Sequence, residues 1–172
     1  MSLPAQKFRE IVFQILYSYD LGHSTDESMV ELLSAELSVT RKSVKEAQAR
    51  VRTILDNLEE IDSLITKTSL SYSFERIQSV ERNILRMSVF ELLFDPLIPE
   101  KVAIVEAMRL ARKFSTKESA SFVNALLDSL YKSSQGLTTD DKQLQLSLEE
   151  LALIEKIAQE ASLQKKEKDS EE

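Results

Sequence analysis

Two glycines and three prolines are the only strong chain breakers in 172 residues: Gly22, Gly136, Pro4, Pro96 and Pro99. A β-protein turns its chain every few residues and draws on glycine and proline to do so. This chain has too few for that. It reads as an all-α protein, helices joined by short polar connections, with 42% hydrophobic residues to fill a core. The absence of cysteine excludes disulfides, cysteine metal sites and thiol nucleophiles. No apolar run approaches the roughly 20 residues of a membrane span. The first ten residues lack a secretory layout, so the expected compartment is the cytoplasm.

Helical periodicity divides the chain. A first helix is expected over about residues 5–20, with Phe8, Ile11, Val12, Ile15 and Tyr19 facing inward and Gly22 as a left-handed stop. Ser24 to Glu27 has the spacing of a capping box and opens a helix to about Leu37. A long pattern covers 40–68, with a bend expected at Asp56-Asn57, both poor interior helix formers. The polar stretch 68–73 is the best internal boundary. The helix expected over 74–94 becomes apolar on most sides in its second half, the mark of a central helix. Pro99 opens the next, to about Phe114. A second capping box, Ser115 to Glu118, opens the last core helix, to about Lys132. The expectation is a compact bundle of six to seven helices over 1–132.

Residues 133–172 differ. A polar linker with Gly136 leads to a third capping box, Ser147 to Glu150. It introduces a helix to about Gln164 with Leu151, Ile154, Ala158 and Ala161 on one stripe. Such a helix is marginal alone in water. It has two destinations: docking on the body, favoured because the stripe is otherwise exposed, or waiting for a partner. The net charge is −7. Residues 136–172 hold ten acids against five bases, so residues 1–135 are nearly balanced, with 19 against 17.

Chemistry is harder to find. The single histidine, His23, follows Gly22 in a turn and suits a solvated role better than a metal ligand or triad base. Two isolated glycines cannot form a phosphate loop. Acidic residues sit beside lysines and arginines, as in solvated ion pairs. No catalytic residue, metal or cofactor is expected, and the chain reads as a non-enzyme. Surface recognition remains. Lys7 and Arg9 flank Phe8 in the first turns of helix one, with Gln14 and Tyr17 further along; both charges are expected to be exposed. Lys117, Ser119 and Ser121 line the start of the last core helix, with Phe122 beside its core stripe. A helix N-terminus favours anions. An ordinary polar face and a core aromatic are the plainer readings of these features.

Several segments carry a resemblance. Arg9-Glu10 followed by Gln14-Ile-Leu16-Tyr17-Ser-Tyr19 resembles the opening of the NusB family. Val80-Glu81-Arg82 through Leu92, Pro99 through Ala107, Leu110 through Phe114, and Ser119 through Asp128 resemble its later helices, in order and spacing over about 5–132. The resemblance implies two packed helical subdomains. It implies transcription antitermination, especially of ribosomal RNA operons, through boxA single-stranded RNA bound together with NusE, a small-subunit ribosomal protein. Other Nus factors and RNA polymerase follow as indirect partners, and homodimerisation that hides the RNA face is possible in the family.

By position, the family's arginine cluster falls on Gln6, Lys7 and Arg9, thinner here. Gln14, Tyr17, Lys117, Glu118, Ser121, Phe122 and Asn124 match its RNA-facing positions. Ser121 stands where a base is common, Ala125 where glycine is frequent and Val105 where asparagine is. Glu81, with Arg82 and Glu75, lies in the segment that meets NusE. Alternatives are the targeting domain of an RNA-modifying enzyme, whose cofactor domain does not follow here, and a purely structural helical protein. The tail lies outside the resemblance; its acidity would also suit shielding of the RNA face.

Overall fold

The computed structural model describes residues 3–23, 26–70 and 72–171. Among them are eight α-helices and no strand: α1 Ala5–Asp20, α2 Glu27–Leu37, α3 Arg41–Asp56, α4 Leu58–Thr68, α5 Ser79–Leu93, α6 Glu100–Phe114, α7 Lys117–Ser134 and α8 Lys142–Glu171. The helices fall into two groups. α1, α2 and α3 pack together, α4, α6 and α7 surround α5, and α8 lies on α7. α5 contacts both groups, and one continuous core joins them.

Local sequence explains most boundaries. Gly22 adopts φ +83° after α1. The amide of His23 donates to Ser18 and that of Gly22 to Tyr19, which closes the helix with the paired bonds of a Schellman end. Gly136 does the same after α7 at φ +69°. The long 40–68 pattern breaks at Asn57 as expected, into α3 and α4. α5 is central as expected, buried at every residue from Asn83 to Glu91.

Four boundary expectations need correction. Residues 74–78 are not α-helical: Phe74–Arg76 form a short 3-10 turn, and α5 starts at Ser79. The cap of α7 is Thr116, whose hydroxyl accepts from the Ser119 amide, while Ser115 donates its hydroxyl to Glu81 instead. Ser147 is no cap but a buried residue inside α8, which starts five residues earlier, where Asp140 accepts from the Lys142 amide. Ser24 lies outside the described residues; the described cap of α2 is Asp26, accepting from the Ser28 amide.

The tail docks on the body, but not through the stripe expected. Leu144 and Leu148 enter the core, Ser147 is buried between them, and Leu151 is half-buried. Ile154, Ala158 and Ala161 stay exposed. The earlier helix start places an additional apolar turn, around Leu144, ahead of the one visible from the presumed cap.

Candidate RNA and partner interface

α1 is buried over a wider arc than one stripe, because it packs on both α3 and α5. Arg9, Glu10, Phe13 and Leu16 are buried along with Ile11, Val12 and Ile15, whereas Tyr19 is exposed. Arg9 is therefore not an exposed cation. Its Nε donates to both carboxylate oxygens of Glu91, at 2.9 and 3.1 Å. Its Nη1 lies 3.9 Å from Glu106. A neighbouring pairing extends this cluster: Arg109 donates to Glu10 at 2.8 Å and to Glu106 at 3.0 Å, and Lys113 reaches Glu10 at 2.9 Å. Gln6 donates to Glu106. The N-terminal polar cluster is thus largely spent on fixing α1 to α5 and α6. Lys7, expected to be exposed, is half-buried.

The electrostatics follow the packing. Burial pushes the Glu10 carboxyl up, but the hydrogen bonds and charges of Lys113 and Arg109 outweigh it, and the group sits below its ordinary value. Glu91 goes the other way: its burial outweighs the pull of Arg9 and holds it above the ordinary value. A second cluster joins α1, α4 and α5. Asp20 accepts from Arg82 at 2.6 Å, Arg86 at 2.9 Å and Asn83 at 3.0 Å, and Arg86 also holds Asp62 at 2.8 Å. Burial raises Asp20 and these donors lower it further than that. Arg82, expected to meet a partner, is committed here. Glu75 is exposed, and the Ser73 hydroxyl holds it below the ordinary value.

Other residues face outward. Tyr17 is half-buried, with its ring 6.0 Å from Phe13, which lies 4.8 Å from Phe114. The Lys113 ammonium sits 5.6 Å over the Phe114 ring. Two residues beyond Phe114 comes the cap of α7, then exposed Lys117. Tyr17, Phe114, Lys113 and Lys117 make a surface strip from α1 across the end of α6 to the start of α7, with Phe13 buried beneath its rings. Sequence reading missed Phe13, Lys113 and Phe114. The signal was present: Glu106 and Lys113 stand at helical spacing on the inner stripe of Ala103, Ala107, Leu110 and Phe114, where an apolar residue is otherwise the rule.

At the start of α7, Ser121 is exposed, and Glu118 and Asn124 are half-buried. Gln14 is half-buried on α1. Phe122 lies in the core stripe, not beside it: it is 1% exposed, its ring 6.2 Å from Tyr72. Glu81 is buried as well, and its Oε1 accepts from the hydroxyls of Ser115 and Ser119. Among the described residues no three histidine or acidic side chains converge as a metal cage, and no helix is long and apolar enough to cross a membrane.

A helical scaffold whose buried charges lock helices together, and whose surface offers rings beside lysines, defines a helical recognition protein. The family follows from comparison. The NusB family model matches residues 6–132, and the chain belongs to the NusB family. It is 37% identical over 131 residues to the transcription antitermination protein NusB of Chlamydia pneumoniae, covering 76% of this chain and 82% of that one. It is 42% identical to that of Geobacter sp. strain M21, covering 71% and 90%. It is also similar to NusB in a crystal structure of antitermination factors NusB and NusE with double-stranded RNA, at TM-score 0.64 and 30% identity, covering 74% of this chain and 96% of that one.

Proposed function

We propose that this chain is a bacterial transcription antitermination factor that binds boxA-type single-stranded RNA together with NusE and promotes processive transcription of ribosomal RNA operons. On this reading residues 1–132 are the binding body and residues 133–172 an appendage. The protein works in the cytoplasm by binding, not by catalysis, and reaches RNA polymerase and other Nus factors through the complex.

The observation that carries this is the strip of Tyr17 and Phe114, propped by buried Phe13, beside Lys113 and Lys117, on a scaffold of the family. Aromatic faces interleaved with cations suit unpaired bases and their phosphates. A related NusB is seen with NusE and double-stranded RNA. Single-stranded RNA is preferred here because rings stack on splayed bases, which a duplex hides. Lys7, Gln14, Tyr17, Lys117, Glu118, Ser121 and Asn124 are proposed RNA neighbours, and Glu75 and Glu81 proposed NusE neighbours. Arg9, Arg82 and Phe122 support them from beneath.

The test is titration of boxA-type RNA with the chain, with and without NusE. With so few unpaired cations on the strip, binding alone is expected to be weak, with a salt dependence of roughly one to three phosphate contacts. NusE should tighten it clearly. Equal affinity with and without NusE contradicts the proposal.

A further inference from the structure

Beneath α8 lies a cavity of about 250 Å³. Its walls on the body side include Tyr72, Ile77 and Phe122, and α8 roofs it with Leu151, Ile154 and Ala158. One buried charged side chain also lines it: Glu81, 4% exposed. Ser115 and Ser119 satisfy one of its carboxylate oxygens, and the other, Oε2, has no hydrogen-bond partner. A buried acceptor left unmet is costly. α8 adds Glu155 to its apolar side chains there, and that carboxylate is itself an acceptor, so the roof offers no donor.

The hold of α8 also weakens along its length. Leu144, Ser147 and Leu148 are buried. Leu151 is half-buried, and Ile154 is 43% exposed. Among the described residues Glu155 is the last α8 side chain bonded to the body, accepting from the Tyr72 hydroxyl and from Arg76 at 2.8 Å. From Lys156 to Lys166 every residue is exposed.

We propose that α8 from about Leu151 onward is a displaceable cover over a protein-docking surface. The occupant that displaces it presents a basic residue among apolar ones. The apolar side chains replace Leu151 and Ile154 against Phe122 and Ile77, and the cation meets the Glu81 oxygen that α8 leaves unmet. A carboxylate facing an apolar cavity repels a phosphate chain, so the chemistry favours a protein over RNA. On the functional reading above, on which this inference rests, that protein is NusE. The start of α8, anchored by Leu144 and Leu148, stays in place as a hinge.

The test uses the full chain and two variants, Glu155→Ala and Leu151→Glu, with NusE binding measured by calorimetry and amide exchange followed by mass spectrometry. Glu155→Ala removes a half-exposed pair and should tighten NusE binding about twofold to fivefold. Leu151→Glu sets a like charge facing Glu81 and should tighten it more. If Leu151→Glu loses its fold, Glu155→Ala alone carries the comparison. NusE should also speed amide exchange in residues 151–166 of the unaltered chain. Equal NusE affinity in all three, with exchange in α8 unchanged, overturns the cover and leaves the antitermination reading standing. Release of α8 by boxA-type RNA and not by NusE overturns the choice of occupant. No NusE binding to any of the three overturns the reading beneath the inference, and the inference with it.

Discussion

Arg9–Glu91 and Arg76–Glu155 are both arginine–glutamate pairs that pin a helix to the body, yet water treats them differently. The first pair is nearly closed off, each side chain 9% exposed. The second is 50% and 26% exposed. Around Arg9, Glu106, Glu10, Arg109 and Lys113 extend the cluster across α1 and α6. Around Arg76 there is one ring contact, its guanidinium 4.5 Å over Tyr72, and its partner Glu155 borders the cavity beneath α8. The lesson is that burial, not the pair itself, decides whether a helix is fixed or detachable. A buried pair cannot lose one member cheaply, because the other is left as an uncompensated charge. A half-exposed pair hands both members back to solvent.

The largest effect should come from breaking the buried pair. Arg9→Ala leaves Glu91 buried and uncompensated and should cost about 3–5 kcal/mol in denaturant unfolding. An Arg9→Met, Glu91→Leu double variant should recover most of that, since both charges go and apolar volume replaces them. A single variant as stable as the unaltered chain would break the comparison at its root.

Next comes the anchor of α8. Leu148→Ala should cost about 2 kcal/mol, near the low end for a core leucine because it sits at the rim of the core. Leu153→Ala, five residues on and 58% exposed, should change stability by no more than about 0.5 kcal/mol. Thermal melts compare the two. Equal costs would mean that α8 is seated along its whole length.

The smallest effect is in the pH dependence, where the two pairs differ in sign. Burial raises Glu155, and Tyr72 and Arg76 outweigh it, so it titrates below its ordinary value. Its contribution is full above the ordinary carboxylate range and is lost as the pH falls through the lowered value. Glu10, Asp20 and Asp95 behave likewise, the last mainly through Arg50. Glu91 is raised. Its contribution is present below the ordinary value and lost as the pH rises through the raised one. Melting temperature should therefore drop below about pH 4, and a shallow decline in stability should appear as the pH rises above the carboxylate range. Glu91→Gln should remove the shallow decline and keep the acid limb. A decline that persists in Glu91→Gln places its origin elsewhere.

Much of the fold could be read from spacing alone. The C-terminal end of α1, the break at Asn57 and the centrality of α5 each follow from a local signal: a glycine, a pair of poor helix formers, an apolar run without a polar face. Caps were less legible, because serine and threonine stood side by side before α7 and the tertiary partner chose between them. Thr116 caps, while Ser115 turns to Glu81. The site was legible only in outline. Arg9 and Arg82 look like surface charges in sequence, and only the packing of α1 against α5 and α6 buries their partners beside them. Phe122 lies within the reach of the tail helix, whose register depended on a start at Lys142 that no capping box announces.

The central claim, that the body is fixed and α8 from about Leu151 onward is not, meets its most direct test in amide exchange of the free protein across low denaturant concentrations. Amides of α1 from Arg9 to Leu16 should exchange only through global unfolding, with a denaturant dependence equal to that of the whole protein. Amides from about Leu151 to Lys166 should open at far lower free energy and with almost no denaturant dependence. A single shared opening energy for both segments would contradict the account.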